Sequence, residues 1–448
     1  MAKPWKSKNS SEEALCNASN VSEEDKEKIE AVVKYKSPST VNSAGHRQEQ
    51  EQDHENEEEK MTKKISNKRR KLVSGCTPLQ DSLAVEVISN VDLLSEILLR
   101  VPTKSLIRFK CVSKHWLSLI SDSQFSSNHT RRTNISVISG LYFYSNWMLK
   151  DVNSVSLQSH STLPPFTFLD GVGEESTRMF VNSCNGLLLC SKIYRQHYIV
   201  CNPTTQKYTA LPARVGTSFR LFYDKFGAYL AFEPSKSPRY KVVLVDYSLD
   251  YAGSSGRSYL IDIYSSESAS WKHVCVSAPP GGTFKRRVFW NGAIHWMNSM
   301  NLHIRFDVDG ENLTGTPMPP YPKILSEDKI LYFGECHGHL FLIQNRQSFP
   351  VGFRILEMNR DYCCWNVMYR VNLRPIIDVF PSKIYPKFNV LCVVKGANEE
   401  DIALVLAIPG KVISYNLKSK TLKVLSKSVD WETTWYNTHQ FIESLSPV

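Results

Sequence analysis

Apolar residues recur at helical spacing over residues 88–125, and this pattern predicts three short helices. In the first helix an apolar stripe occupies positions i, i+1, i+4, i+5 and i+8 counted from Leu93, while Ser95, Glu96 and Arg100 lie off it. A stripe of this width needs a surface to pack against. We therefore expect a small all-α module, which we place at residues 85–130.

Polar residues and one proline mark the expected helix ends. Ser89, with Asp92 three residues later, has the spacing of a capping box at the start of the first helix. Pro102 is expected to end that helix, and Thr103 and Ser113 are the predicted caps of the second and third. These signals divide the module into three helices.

The three predicted helices carry more apolar area than helices of this length can bury among themselves. At about 25 cal/mol per Å², each uncovered Leu or Phe forgoes about 1.5–3 kcal/mol, so a covering surface is expected. The pattern leaves two covering surfaces open, namely a helical partner protein and the remainder of the same chain. The apolar residues concerned are Leu93, Leu94, Ile97, Leu98, Val101, Pro102, Leu106, Phe109, Val112, Trp116, Leu119 and Ile120.

From residue 135 to residue 448 the pattern changes to short β-branched and aromatic runs separated by turn residues, which is typical of an all-β domain. Residues 198–212, 259–271 and 412–424 each predict a hairpin with an exposed polar turn. One hairpin cannot bury its own apolar face, so recurring hairpins favour the stacked blades of a propeller. The unequal spacing leaves the number of blades open.

Residues 1–80 are rich in Ser, Glu, Lys, Gln and Asn, and we predict that they are disordered because they lack the apolar area to offset chain entropy. A basic run ends this segment. It has two interpretations, a nuclear-import signal or a solvated charge run that balances the acidic residues before it. Its basic residues are Lys63, Lys64, Lys68, Arg69, Arg70 and Lys71.

Composition and cysteine spacing narrow the function classes. Lys and Arg outnumber Asp and Glu by 54 to 44, a modest excess that is partly concentrated in residues 63–71, so nucleic-acid binding is only an alternative. The 11 cysteines form no C-x-x-C pair, and several lie in apolar runs, as expected for reduced, buried thiols. His337 and His339 could place two imidazoles on one strand face, but further ligands at metal-binding spacing are lacking. We expect no metal and no cofactor.

The sequence also lacks the usual signatures of catalysis and membrane insertion. It has no G-x-S-x-G elbow and no phosphate-binding P-loop, which leaves a propeller enzyme as an alternative rather than the expectation. The first residues lack a signal-peptide core, and no apolar run reaches about 18 residues. We expect a non-catalytic protein of the nucleus, the cytoplasm or both.

Residues 93–122, LLSEILLRVPTKSLIRFKCVSKHWLSLISD, resemble the F-box over some thirty positions. In that family the module docks on a Skp-type adaptor, which links it to cullin and a RING subunit. The resemblance implies that the twelve apolar residues named above bind the adaptor. One departure is that Ser89 and Asn90 stand where the family usually has Leu-Pro, a dipeptide that contacts the adaptor, so weaker docking is implied.

The β-rich part resembles the plant F-box-associated domains of kelch-like type. The similar pieces, in the family's order, include residues 182–190, 202–205, 263–271, 290–296 and 441–445. In these pieces Gly186 and Gly292 are expected in tight turns, Trp271 and Trp296 between blades, and the last strand at the closure of the ring.

Together the two resemblances imply the substrate-recognition subunit of a Skp–cullin–F-box (SCF) ubiquitin ligase, which binds an unknown target through the β-domain for ubiquitination and degradation. A nuclear nucleic-acid-binding protein and a non-degradative scaffold are the alternatives.

Overall fold

The computed structural model of the chain describes most of residues 90–448. The predicted disorder of residues 1–80, the basic run at residues 63–71 and Ser89 all lie outside the described residues. The described ranges are 90–133, 137–144, 152–158, 162–170, 178–192, 197–214, 227–248, 258–277, 284–298, 302–316, 330–345, 352–380, 388–396, 401–427 and 438–448.

Four helices open the described part of the chain: α1 (Val91–Leu98), α2 (Thr103–Phe109), α3 (Lys114–Ser121) and α4 (Ser123–Thr133). The three predicted helices are confirmed, and α4 is an addition. The sequence of α4 is largely polar, so its apolar pattern gave no helical signal. Its Phe125 nevertheless packs into the core of the first three helices.

Only one of the three predicted caps is correct. The side chain of Asn90, whose backbone is extended, accepts hydrogen bonds from the amides of Asp92 and Leu93 at 3.1 and 3.2 Å, so the cap of α1 is Asn90 and not Ser89. The residue before α2 is Pro102, and no side chain caps that helix, so the Thr103 prediction is wrong as well. Ser113 is confirmed, because its Oγ accepts from the backbone amide of Trp116 at 3.1 Å.

The remaining described residues form 23 strands in six antiparallel sheets, one short α-helix, α5 (Arg374–Val379), and one 3-10 helix (Thr167–Leu169). The strands are β1 (Ile138–Tyr144), β2 (Val152–Ser156), β3 (Arg178–Cys184), β4 (Leu187–Lys192), β5 (Tyr198–Asn202), β6 (Lys207–Ala210), β7 (Ala228–Ala231), β8 (Lys241–Ser248), β9 (Ser258–Ser265), β10 (Ser270–Ser277), β11 (Phe284–Trp290), β12 (Ala293–Asn298), β13 (His303–Asp307), β14 (Asn312–Thr316), β15 (Ile330–Cys336), β16 (His339–Asn345), β17 (Gly352–Met358), β18 (Trp365–Asn372), β19 (Asn389–Lys395), β20 (Ile402–Ile408), β21 (Lys411–Asn416), β22 (Leu422–Lys427) and β23 (His439–Ile442).

The sheets are the six blades of a β-propeller, as predicted from the recurring hairpins. Blades 1 to 5 each contain four consecutive strands, from β3–β6 for blade 1 to β19–β22 for blade 5. The innermost strands of neighbouring blades contact one another from blade 6 through blade 1 to blade 5, and β22 of blade 5 contacts β2 of blade 6. The three predicted hairpins are confirmed as the outer two strands of blades 1, 2 and 5.

Blade 6 closes the ring, because it joins the two ends of the β-domain. Its strand order is β2-β1-β23, with Ile138 opposite Ile442 and Tyr142 opposite His439. The predicted closure by the last strand is therefore confirmed. In the ring Trp296 of blade 3 stacks on Tyr229 of blade 2, their centroids 6.3 Å apart, as expected for an aromatic between blades.

The strand order gives the propeller two distinct ends. In each of the first five blades, the turn between strands one and two and the turn between strands three and four lie at the same end. The helices also lie at that end, because α4 donates hydrogen bonds from Ser127 Oγ to Pro234 O (3.3 Å) and from Arg131 Nε to Ser235 O (2.6 Å). We call it the helix end and the other one the opposite end.

Candidate functional site

The helices share a core that is completed by residues outside the three predicted helices. The cluster contains Phe125 of α4 and Leu445, which follows strand β23 and is only 7% exposed. The surface that the pattern had left uncovered is thus covered in part by the chain itself. The buried members of the cluster are Leu94, Leu98, Leu99, Leu106, Ile120, Phe125 and Leu445.

Four of the twelve predicted contact residues are buried in this core: Leu94, Leu98, Leu106 and Ile120. Adaptor binding by the twelve residues stays a prediction, and the structure divides the α1 stripe into a buried and an exposed part. Residues four apart in a helix lie on the same face. Leu94 and Leu98 therefore share the inner face, while Leu93 and Ile97 share a neighbouring face that points outward.

The outward faces of the helices expose an apolar surface, which we call the outer F-box surface after the resemblance stated above. Leu93, Ile97 and Val112 are 47%, 50% and 59% exposed, and Pro102 is exposed as well. Val91 and Leu117 are also exposed and were not predicted. The remaining predicted residues, Val101, Phe109, Trp116 and Leu119, are half-buried and pack against the helical core.

Two aromatic side chains connect the outer surface to the core. The rings of Phe109 and Trp116 meet edge to face with their centroids 5.5 Å apart, which joins α2 to α3. Both are half-buried, so each has one part in the core and one part available to a partner. Large aromatic side chains in this situation are typical anchors of protein–protein interfaces.

Two interactions of polar side chains in the helices join α4 to the rest of the module. Arg132 of α4 forms an ion pair with Glu96 of α1, with Nη1 2.6 Å from Oε2. Both side chains are solvent-accessible, so this pair contributes little to stability. His129 is buried, and its Nε2 lies 2.9 Å from the carbonyl oxygen of Val101, which can only accept; Nε2 therefore carries the proton. Burial lowers the pKa of His129 and favours the neutral ring.

One of the groups of titratable residues in the described propeller lies between blades 4 and 5. His339 Nδ1 lies 2.5 Å from Glu357 Oε1, and Lys395 Nζ lies 3.0 Å from His339 Nε2. His337 occupies the turn before β16 with a positive φ, so the two imidazoles do not share a strand face. Within the ranges given above, no set of three or more His, Cys, Asp or Glu side chains is arranged to hold a metal ion.

Part of the opposite end is described, and it exposes apolar area. Helix α5 follows the last strand of blade 4, and its Val379 is exposed. The neighbouring Phe380 is half-buried and lies under Lys411, with Nζ 4.6 Å from the ring centroid. The opposite end therefore carries apolar and cationic side chains, and it is the end that does not hold α1 to α4.

Comparison with known families identifies both parts of the chain. Residues 90–128 match the F-box domain, and residues 134–406 match the F-box associated beta propeller domain. The chain belongs to the F-box proteins with an F-box-associated β-propeller domain. The F-box match covers α1 to α3 and the first half of α4.

The curated relatives of this chain include F-box proteins of a plant. The chain is 31% identical to F-box protein At5g07610 of Arabidopsis thaliana over 82% of this chain and 94% of the relative. It is 28% identical to F-box protein At5g49610 of the same plant, over 80% of this chain and 96% of the relative. Putative F-box/kelch-repeat protein At3g17570, also from Arabidopsis thaliana, is 29% identical over 48% of this chain and 55% of the relative.

The family gives the F-box domain a general role. An F-box domain implies binding to a Skp-type adaptor within an SCF complex. The two domains and the relatives together support a substrate-adaptor role in such a complex, and the family suggests a non-catalytic receptor. Among the described helices none is long and apolar enough to cross a membrane.

Proposed function

We propose that this F-box protein is the substrate-recognition subunit of an SCF ubiquitin ligase. It binds a Skp-type adaptor through the outer F-box surface and a target protein through the opposite end of the propeller. The adaptor brings cullin and a RING subunit, and the target is ubiquitinated and then degraded. The observation that carries this proposal is the apolar outer F-box surface, which stays exposed although the propeller is packed against the same helices.

The energetics of exposed apolar side chains support a partner on the outer F-box surface. The helical core is already closed by Phe125 and Leu445, so Leu93, Ile97 and Val112 are not needed to complete it. Burying a Leu, Ile or Val side chain gains about 1.5–3 kcal/mol. Exposed apolar residues gathered on one small module are typical of a protein-binding surface.

The position of the helices supports target binding at the opposite end. Helix α4 and the segment after β23 occupy part of the helix end, whereas the described part of the opposite end is free of α1 to α4. Loops at the ends of a rigid scaffold commonly carry recognition. Exposed Val379 on α5 and the half-buried Phe380 are the described residues that we assign to the target-binding surface.

The proposed role does not require chemistry within this chain. A RING-type ligase holds a target lysine near the ubiquitin-charged enzyme, which raises the effective concentration of the reactants. The receptor contributes two binding surfaces and a fixed spacing between them. The described residues connect the two parts through α4 and Leu445, as such spacing requires.

Adaptor binding is tested with a double variant of the outer F-box surface, Leu93→Asp with Ile97→Asp. Both side chains are exposed, so the helical core stays intact, whereas a change at buried Leu94 would disturb it. We expect the wild-type protein to bind a purified Skp-type adaptor and the variant to bind at least about a hundredfold more weakly, because two apolar contacts are replaced by charges. Affinity is measured by isothermal titration or surface plasmon resonance.

A matched control carries the same chemical change on the propeller. Val367 and Met368 of β18 are exposed apolar residues outside the helices, and Val367→Asp with Met368→Asp is expected to bind the adaptor like the wild type. Equal losses in both double variants, or no binding by the wild type, would contradict the proposed adaptor surface. Affinity purification with and without proteasome inhibition tests the degradative role, since targets should accumulate with the receptor only if they are degraded.

For location we propose the nucleus, the cytoplasm or both, with residues 63–71 as the import signal. The support is the density of basic residues in this segment. Deleting residues 63–71 from a fluorescently tagged chain should lower the nuclear share, and an unchanged distribution would remove the import role.

A further inference from the structure

Leu445 belongs to the F-box core although it lies more than three hundred residues beyond the F-box in the sequence. It is the sole buried member of that cluster contributed from beyond α4 among the described residues. It packs with the inner-face leucines Leu94, Leu98 and Leu106. The F-box helices therefore complete their core with a side chain that belongs to the propeller end of the chain.

The backbone on both sides of Leu445 is fixed by blade 1. The side-chain amide of Asn202, which is fully buried, donates to the carbonyl oxygens of Ser444 at 3.0 Å and Ser446 at 2.8 Å. The hydroxyl of Thr204 accepts from the amide of Ser444 at 3.2 Å. These bonds hold the residues before and after Leu445 in a defined conformation and aim its side chain at the helices.

The position of blade 1 next to this segment depends on the closed ring. Strand β23, which directly precedes Glu443, is the inner strand of blade 6 and contacts β3 of blade 1. Lys104 of α2 forms an ion pair with Glu443, with Nζ 3.1 Å from Oε1. In the folded chain Leu445 thus reaches the F-box core from a segment that is held by blade 1 and that directly follows the strand closing the ring.

We infer that Leu445 couples the folding of the F-box to the closure of the propeller ring. A chain whose ring is open lacks Leu445 in the helical core, so its helices α1 to α3 are less stable and its outer F-box surface is less well formed. The consequence for adaptor recruitment rests on the proposed function. Under that function, the adaptor preferentially recruits receptors whose target-binding propeller is complete.

The coupling is tested by amide hydrogen exchange of the full chain without adaptor. Leu445→Ala removes the packed side chain and is expected to raise the exchange rates of α1 to α3 by about tenfold or more. The matched control is Leu417→Ala, which removes a similarly buried leucine from a core cluster that contains no residue of α1 to α4. It is expected to speed exchange in blade 5 and leave the helices at the wild-type rate.

Two milder variants keep the test informative if Leu445→Ala does not yield folded protein. Leu445→Met conserves volume and is expected to exchange like the wild type, while Leu445→Val, compared with Leu417→Val, should show a smaller increase confined to the helices. Helices that exchange at the wild-type rate in both Leu445→Ala and Leu445→Val, or that speed up equally in the matching Leu417 variants, would overturn the coupling.

A separate arm measures adaptor affinity for the same variants. If the wild type binds the adaptor and Leu445→Ala binds more weakly while Leu417→Ala does not, the coupling extends to recruitment. If recruitment is unchanged although exchange is faster, the recruitment consequence is wrong. If the wild type does not bind the adaptor at all, the proposed function fails, and the exchange data alone still decide whether ring closure stabilises the F-box.

Discussion

His295 and His303 form a buried imidazole pair in blade 3. His295 Nε2 lies 3.2 Å from the carbonyl oxygen of Trp290, and its Nδ1 lies 3.2 Å from His303 Nε2. The carbonyl can only accept, so His295 carries its proton on Nε2 and accepts a second bond from His303 at Nδ1. Burial, opposed in part by the Trp290 bond, lowers the pKa of His295 to about 3. His439 in the closing strand is also buried, and its pKa is lowered to about 4.

His295 and His439 make the stability of the folded protein sensitive to acid. Their pKa values are lower in the folded chain than the ordinary value of about 6.5, so between those values the unfolded chain binds protons that the folded chain does not. Stability is fully present above about pH 6.5 and falls as the pH decreases toward 4 and then 3. At pH 5 each of these two histidines should lower the free energy of unfolding by about 2 kcal/mol relative to its value well above pH 6.5.

Thermal unfolding between pH 7.5 and pH 5 checks this prediction. The melting temperature of the wild type should fall on acidification, and His295→Gln, which retains a donor and an acceptor without a titrating ring, should show a smaller fall. An identical pH dependence in the two proteins would show that His295 does not contribute.

At the scale of single residues, the sequence predicts backbone conformation better than it predicts burial. Gly186 and Gly292 were expected in tight turns, and both have positive φ values. The sequence did not distinguish buried Leu94 from exposed Leu93. Two adjacent leucines in an apolar stripe have the same local pattern, and their burial depends on which other elements pack against the helix. Leu445 lies too far along the chain for any local pattern to connect it with the helices.

At the scale of elements, helix α1 begins with an asparagine cap at a position where the F-box family usually has the proline of Leu-Pro. The usual Leu-Pro before an F-box is absent, and Asn90, at the second of those positions, caps the helix through two backbone amides. The expected weakening of adaptor docking at this place stays a prediction. What the structure adds is that Asn90 stabilises the start of the helix that carries Leu93 and Ile97.

Asn90→Ala should therefore destabilise the start of α1 by about 1 kcal/mol, because two amides lose their acceptor. Asn90→Ser retains a short side-chain oxygen and should behave nearly like the wild type. Hydrogen exchange of the amides of Asp92 and Leu93 is the direct measurement. If the alanine and serine variants exchange alike, the side-chain cap is not what stabilises the helix start.

Elements with strong local signals were predictable, and elements that depend on distant contacts were not. The hairpin of β5 and β6 combines alternating apolar residues with a polar turn, and it is found where expected. Helix α4 has few apolar residues, and it is anchored by contacts such as His129 to Val101 and Ser127 to Pro234. Its stability comes from tertiary structure, which overrides a weak local preference.

At the scale of the whole molecule, the equivalent turns at Gly186 and Gly292 differ in how closely the segment that follows the ring-closing strand approaches them. Gly186 and Gly292 both follow an asparagine between the first two strands of a blade, with φ values of +91° and +78°. A Cβ at Gly292 would have open space, whereas a Cβ at Gly186 would lie 2.5 Å from Ser444 Cβ and 2.9 Å from Ile442 O. Blade 1 thus approaches the closing segment too closely for any side chain.

Gly292→Ala should cost about 1 kcal/mol, since alanine is strained in the left-handed region. Gly186→Ala carries the same strain and also displaces the closing segment, so we expect it to cost about 1–3 kcal/mol more. Thermal unfolding of the two variants gives the comparison. Equal losses would mean that the segment adjusts without cost and that blade 1 does not constrain it.

The pairing of β1 with β23 also sets a waiting time during synthesis. Their partner residues, such as Ile138 and Ile442, are about 300 residues apart in the chain. At about 5–20 residues per second, a ribosome needs about 15–60 s to produce the second partner after the first. Throughout that interval β1 has an edge without its final neighbour and the helices lack Leu445, so the nascent chain should be a client for chaperones that shield strand edges and apolar surfaces.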